Sequence, residues 1–435
     1  MSLFELNSSI YGILCAAIFI FLLPFIKSKY LWVKSLSILL SFSVLCILIL
    51  SNSRSGWLGA FVGAIYLIFF LAKKYWIFKR KRIAFFLALV SFLFLLTILS
   101  KYKSDSTKGR LHIYHLSLKL LRENWLHGIG FQKFRVEFNE QQAAYFSNRS
   151  LDDNISLLAD NTFYAFNDTL QWIIETGIVG FLILVLFFAF LLRRVILLKK
   201  TTQTNCFLQS SISTLICLCT ASMFSYPMQV IPIQALVLIC VGIIIFFPLT
   251  SSSKVESVIN ALVKFGFIFL SIYFIINSIK AIKRKSDVKK AFELSLIGKK
   301  SEALRKYEKV LSRYEGKGDV MLLYAEQLYY TNRLREALVI LNQAKKYYVD
   351  NKLYTLKATI EAELGLFKEA ERDFLHSIYM VPNRMTSRFE LMNFYLNAGD
   401  SIKARNWAKS IVEMPIKVPS FRTELMLKET KKIYY

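Results

Sequence analysis

Before residue 280 the chain is a series of apolar blocks, each close to the twenty or so residues that an α-helix needs to cross the hydrocarbon core of a bilayer. The blocks fall at 9–26, 33–50, 56–72, 83–100, 169–191, 206–226, 230–249 and 261–279, eight in all. Lipid offers backbone amides no hydrogen-bond partners, so helices, which satisfy their own, are the economical structure for such segments. The connection Ser225-Tyr226-Pro227-Met228-Gln229 is very short, and Pro227 and Pro232 favour a break there. No basic region and small-residue cleavage site precede the first block, so Ile10 to Ile26 reads as a retained helix.

The formal charge of +26 is of the size that marks nucleic-acid binding in a soluble domain. Its placement points elsewhere, because Lys73, Lys74 and Lys79 to Arg82, then Arg193, Arg194, Lys199 and Lys200, sit between apolar blocks. That is the pattern of cytoplasmic loops meeting anionic lipid, and no nucleic-acid partner is expected. With these clusters and Lys27 to Lys34 inside, the N-terminus and the long segment 101–168 lie outside. The segment carries nine basic and eight acidic residues, so it has little charge bias against translocation. Eight spans return the C-terminal region to the outside as well, although Lys280, Lys283, Arg284 and Lys285 favour the inside. The six cysteines lie in or beside apolar blocks with no metal-ligand spacing, so neither a metal nor a cofactor is expected.

Beyond residue 288 the composition becomes charged and mixed, and a period of 33 to 34 appears. Ala303, Ala337, Ala370 and Ala404 recur in register, each preceded by five residues by a turn former: Gly298, Asn332, Gly365 and Gly399. Small residues at fixed points let antiparallel helices approach closely, and Tyr324, Tyr354 and Tyr395 fill the space to the next pair. The pattern resembles the tetratricopeptide repeat, a stack of helix pairs. The expected architecture is therefore all-α: a polytopic transmembrane bundle over 1–280 with a large external loop at 101–168, then a helical-repeat solenoid over 289–435. The solenoid offers a surface for a protein partner, or braces the membrane domain.

Within the external loop, Ile113, Leu116, Leu120 and Leu121 mark an amphipathic helix from Leu111 to Glu123, ended by Asn124 and Gly128 to Gly130. Residues 141–161 are polar and poorly periodic, which reads as a substrate-facing or mobile loop. Two arginines stand apart from the inside-facing clusters. Arg54, in Ser53-Arg54-Ser55-Gly56-Trp57-Leu58, lies at the outer end of the third span, and Arg110 follows Lys108-Gly109 in the loop. A guanidinium makes paired, charge-assisted hydrogen bonds to phosphate oxygens and stays charged at working pH. Two of them facing one cavity suit a diphosphate; headgroup contact or pairing with a loop carboxylate is the plainer alternative.

The Ser53 to Leu58 segment, Gly109-Arg110, Asn124-Trp125-Leu126-His127-Gly128-Ile129-Gly130-Phe131, and Phe166-Asn167-Asp168-Thr169-Leu170-Gln171 running on through Glu175, Gly177 and Gly180 follow in an order that resembles the O-antigen ligase and polymerase superfamily, over roughly 50–190. The resemblance implies a metal-independent glycosyltransferase of the bacterial inner membrane. Its donor is a glycan on undecaprenyl diphosphate, its acceptor a glycan or lipid hydroxyl on the periplasmic side, with membrane lipids around it. It implies that Arg54 and Arg110 hold the diphosphate. Asn167 and Gln171, four apart on one helix face, are candidates for binding sugar hydroxyls. Glu175 one turn on is a candidate to orient either arginine or bind substrate, with polar glue within the bundle as the plainer alternative for all three. Lys108 is a further substrate-binding candidate, and Gly177 and Gly180 read as glycines that permit close helix packing.

One departure bears on the chemistry. Members usually carry histidine directly before the Asn-Asp-x-Leu-Gln stretch, and this chain has Phe166, which cannot accept a proton. Asp168 is nearest the missing position and is the leading replacement, ahead of Asp160, Glu175, His112 and His115. The chain also has fewer spans before Ser53 than members commonly do. The alternatives to ligase-type transfer are a repeat-unit polymerase and a non-catalytic assembly protein beside a glycan-export system.

Overall fold

The structure is a computed structural model that describes residues 7–71, 104–149, 154–198, 205–248, 254–314, 317–417 and 419–435. Among the described residues every regular element is a helix. Four helices are long and apolar enough to cross a membrane: Ser8–Lys27, Leu31–Leu50, Asp168–Leu197 and Asn260–Leu296. Arg54–Phe69, Cys206–Ser222 and Ile231–Phe246 are shorter apolar helices at three further expected positions. The block at 83–100 and the cluster Lys73 to Arg82 lie outside the described residues.

The chain divides into two compact units, each discontinuous in sequence: residues 1–104 with 164–280, and residues 105–163 with 281–435. The first unit is built on Ser8–Leu22, Arg54–Leu71 and Cys206–Ser222, which pack on one another. They approach backbone to backbone because their facing residues are small. A Cβ on Gly56 would lie 2.8 Å from the Gly12 carbonyl oxygen, and one on Gly59 would lie 2.6 Å from that of Cys217. Close approach through small residues is what joins helices in lipid, where apolar burial drives nothing between them. Arg194, expected from its basic neighbours to mark a cytoplasmic loop, is 3% exposed. Its guanidinium donates to the carbonyls of Ile244, Ile245 and Phe247 and to Asn260 Oδ1, closing the C-terminal end of Ile231–Phe246. Those carbonyls have no partner within their own helix.

In the second unit the repeat pattern has its physical counterpart. Gly298, Asn332, Gly365 and Gly399 all take positive φ, between 59° and 80°. The residue after each donates its N–H to the carbonyl five positions back: Lys299 to Leu294, Arg333 to Leu328, Leu366 to Glu361 and Asp400 to Tyr395. This is the left-handed helix stop that glycine and asparagine accommodate best. It ends the helices Lys254–Leu296, Gly318–Tyr330, Asn351–Glu363 and Met385–Asn397. Each stop opens the next helix, on which Ala303, Ala337, Ala370 or Ala404 is fully buried. The result is a helical-repeat solenoid.

Residues 105–163 pack within this second unit, whereas the sequence reading makes the loop an insertion of the membrane domain. The helix Ser104–Glu123 extends N-terminal to the expected Leu111 and ends where expected. Residues 134–147, whose latter part reads as polar loop, form the helix Phe134–Ser147. The disagreement has a physical cause. Asn139 and Gln142 are both fully buried and count as core, because repeat backbone carbonyls receive their amides.

Candidate active site

The first-unit candidates occupy two turns. Ser53 opens the helix Arg54–Leu71: its hydroxyl accepts from the Gly56 N–H at 3.2 Å and donates to the Ser9 carbonyl at 2.7 Å. Arg54 is thereby fixed, half-buried, in the first turn of an 18-residue helix. The helix dipole and unsatisfied N–H groups there favour an anion. Ser55 is buried beside it, with no hydrogen-bond partner for its hydroxyl among the described residues.

The second turn precedes Asp168–Leu197. Asn167 is its N-cap, with Oδ1 accepting from Leu170 N–H at 3.0 Å. Phe166 just before it has φ 53°. Its ring meets Tyr226 edge-on at 5.3 Å, and Tyr164 stacks on the same ring at 4.2 Å. Gln171 is buried and spent at both ends: Oε1 accepts from Ala165 N–H at 3.1 Å, and Nε2 donates to Glu175 at 3.0 Å. Asp168 Oδ2 accepts from Met228 N–H at 2.9 Å. The Ser222 hydroxyl stands near the carboxylate but outside hydrogen-bonding geometry, so buried Oδ1 keeps an unused acceptor position among the described residues. Beyond the turn the helix breaks at Gly177 (φ 65°, ψ −158°), and Trp172 Nε1 donates to the Gly180 carbonyl across the break. The sequence reading takes Gly177 and Gly180 as packing glycines. Gly177 instead holds a backbone conformation that a side chain would strain.

Arg110 and Lys108 belong to the second unit, on Ser104–Glu123. Lys108 is exposed and Arg110 half-buried. Burial pushes the Tyr114 phenol above its ordinary value, with the Arg110 charge one turn away acting in the other direction. On the same helix His112 is buried with its ring 5.2 Å from Tyr145 and 5.5 Å from Phe146, while His115 is exposed. Asp160 is engaged by Arg384 at 2.8 Å. Among the described residues no group of three His, Cys, Asp or Glu side chains gathers where it could hold a metal ion. Sequence reasoning missed Tyr164, Tyr226 and the Met228 N–H. Residues 225–229 showed only a break between spans, and nothing tied them to Asp168 across sixty residues.

The O-antigen ligase family model matches residues 36–185. This stretch is an O-antigen ligase domain. It contains all seven candidate residues, and ligase-type transfer of glycan chains is the defining activity of that family. No curated protein matches the chain. Among solved structures it is similar to YrrB, a TPR protein with an unusual peptide-binding site, at 16% identity over 35% of this chain and 90% of that one, with a TM-score of 0.28. It is also similar to the yeast Tom70, at 10% identity over 92% of this chain and 84% of that one, with a TM-score of 0.27. Neither score supports an argument, and the repeat architecture beside the O-antigen ligase domain rests on its turns and buried alanines.

Proposed function

We propose that the chain moves a glycan from undecaprenyl diphosphate to the hydroxyl of a glycan or lipid acceptor, at the periplasmic face of the bacterial inner membrane and with inversion at the anomeric carbon. The acceptor oxygen attacks that carbon as its bond to the diphosphate oxygen breaks, and the electron pair leaves with the diphosphate. Arg54 and Arg110 supply guanidiniums to the developing charge, with Lys108 adding a cation, a case of positioned electrostatic stabilisation. The acceptor proton passes to Asp168.

The observation that carries this reading is the Asp168 carboxylate, anchored through Oδ2 by the Met228 N–H while Oδ1 keeps an acceptor position. A group so held is oriented for general-base work, two residues from where the superfamily usually has histidine. Asn167 contributes its amide nitrogen, which the capping bond leaves unused, and Gln171 with Glu175 holds the turn in place. The folding of 105–163 and 281–435 as one unit supports a shared side of the bilayer for loop and repeats. Tetratricopeptide-type repeats would meet a protein partner through exposed apolar side chains such as Ile402 and Phe421.

The test is Arg110→Lys in isolated membranes with endogenous lipid-linked glycan as donor. A point charge does not reproduce paired guanidinium geometry, so transfer should fall about tenfold or more at equal protein level. An unchanged rate would remove Arg110 from the reaction.

A further inference from the structure

The turn 154–161 in the second unit is held from outside itself. It carries the helix Asn154–Leu158. Asn383, on the repeats, points its amide nitrogen at three carbonyls of this turn: Ser156 at 3.3 Å, Leu157 at 2.9 Å and Ala159 at 2.5 Å. Asn351 and Asn161 bond reciprocally. Asn161 Nδ2 donates to Asn351 Oδ1 at 2.7 Å, and Asn351 N–H donates to Asn161 Oδ1 at 3.0 Å. Arg384 pairs with Asp160. Gln142 Nε2 bridges the carbonyls of Met380 and Asp160 at 2.6 and 3.1 Å. Asn139 donates to the Val349 carbonyl at 2.8 Å while accepting from Thr162 N–H at 2.9 Å.

The same turn bears on Arg110 through the helix Phe134–Ser147, whose Gln142 donates to the Asp160 carbonyl and whose Asn139 accepts from the Thr162 N–H. Two residues beyond Arg110, His112 packs on Tyr145 and Phe146 of the helix that Asn139 and Gln142 anchor to the repeats. The helix carrying Arg110 is thus braced at His112 by a helix that the turn and the repeats hold in place.

We infer that the repeats act in cis on the ligase reaction, and that Asn383 and Asn351 are positioning residues for Arg110. The edge of the solenoid formed by Tyr348 to Asn351 and Met380 to Ser387 is occupied by the chain's own loop, and its service to the reaction is to hold one guanidinium in place. This rests on the reading of Arg110 as a diphosphate ligand.

Asn383→Asp keeps the shape and removes the donor. It is assayed in the full chain, in membranes from cells lacking the chromosomal copy, alongside Arg110→Ala and the double variant, with hydrogen exchange followed on 105–163 and 401–434. Exchange of 105–163 should rise about tenfold with 401–434 unchanged, transfer from endogenous lipid-linked glycan should fall about tenfold, and the double variant should be no slower than Arg110→Ala. Unchanged exchange in Asn383→Asp, full transfer by it when Arg110→Ala is impaired, or a multiplied loss in the double variant would each overturn the inference. Full transfer by Arg110→Ala would instead overturn the diphosphate reading on which it rests. Arg384→Ala, which cuts an exposed contact to the same turn, decides the question by the same readouts if Asn383→Asp accumulates poorly.

Discussion

At φ 53° the Phe166 backbone lies in the left-handed region, which costs a residue with a side chain roughly 1–2 kcal/mol. Its ring on Tyr226, the Asn167 cap and the Ala165 N–H bond to Gln171 hold that conformation. The consequence is that Asp168 starts its helix with one oxygen on Met228 N–H. Asparagine has the same shape and can still accept that bond, but it cannot take a proton. Asp168→Asn should therefore fold normally and lose about a hundredfold in transfer rate, measured in isolated membranes against wild type at matched expression. Transfer within about twofold of wild type would leave the proton with another group. Arg54 was visible as a candidate in the sequence because a charge at the end of an apolar block needs a reason, Arg110 because it stands outside the inside-facing clusters, and Asp168 only through the resemblance, as the carboxylate nearest the missing histidine. Arg194 was not legible: a buried carbonyl clamp and a cytoplasmic charge look alike in a string of residues, and only Ile244, Ile245 and Phe247 tell them apart.

Among elements, the helix Phe134–Ser147 carries a carboxylate whose protonation bears on stability. Glu140 on it accepts from Tyr354 at 2.5 Å and meets His376 at 2.8 Å. Burial pushes the Glu140 carboxyl up, but the hydrogen bonds from His376 and Tyr354, with the charges of His376 and Lys345, more than offset this and hold it below its ordinary 4.5. A carboxylate depressed in the folded state contributes stability that is complete above its unfolded value and lost as pH falls through the folded one. The part of the second unit's stability that Glu140 supplies is therefore complete above about pH 4.5 and lost below it, so the thermal midpoint should decline in acid more steeply than it does without this carboxylate. Glu140→Gln should flatten that decline, and a midpoint with the same acid slope in both proteins would show that the carboxylate is not responsible. The repeat helices were legible because alanine and glycine recur at a fixed period. This helix was not, since its buried positions include Asn139 and Gln142, and their partners lie more than two hundred residues away.

For the whole molecule, the interleaving of the two units constrains the path through the bilayer. Residues 105–163 and 281–435 fall in one compact unit, which supports an even number of membrane crossings in the chain between them. The helices from Asp168–Leu197 to Asn260–Leu296 are two long and two shorter ones, which permits this. With the six native cysteines replaced, cysteines introduced at exposed Lys119 and Lys409 should react with an impermeant maleimide from the same side of sealed vesicles. Labelling from opposite sides would break the unit apart. Blocks of hydropathy revealed where the chain meets lipid, but no local pattern could show that a loop closing before the fifth block is completed by residues after the last.

Synthesis runs from one end, and this gives the interleaving a further consequence. The Asn161 turn leaves the ribosome about two hundred residues ahead of Asn383, a delay of roughly ten to forty seconds at ordinary elongation rates. Through that interval the Asn139 and Gln142 amides must stay hydrated, and the aromatic side chains around them uncovered, until their distant partners arrive. A nascent chain in this condition is a client for a holdase, and a premature stop before Val349 would leave a membrane-inserted product whose loop never matures.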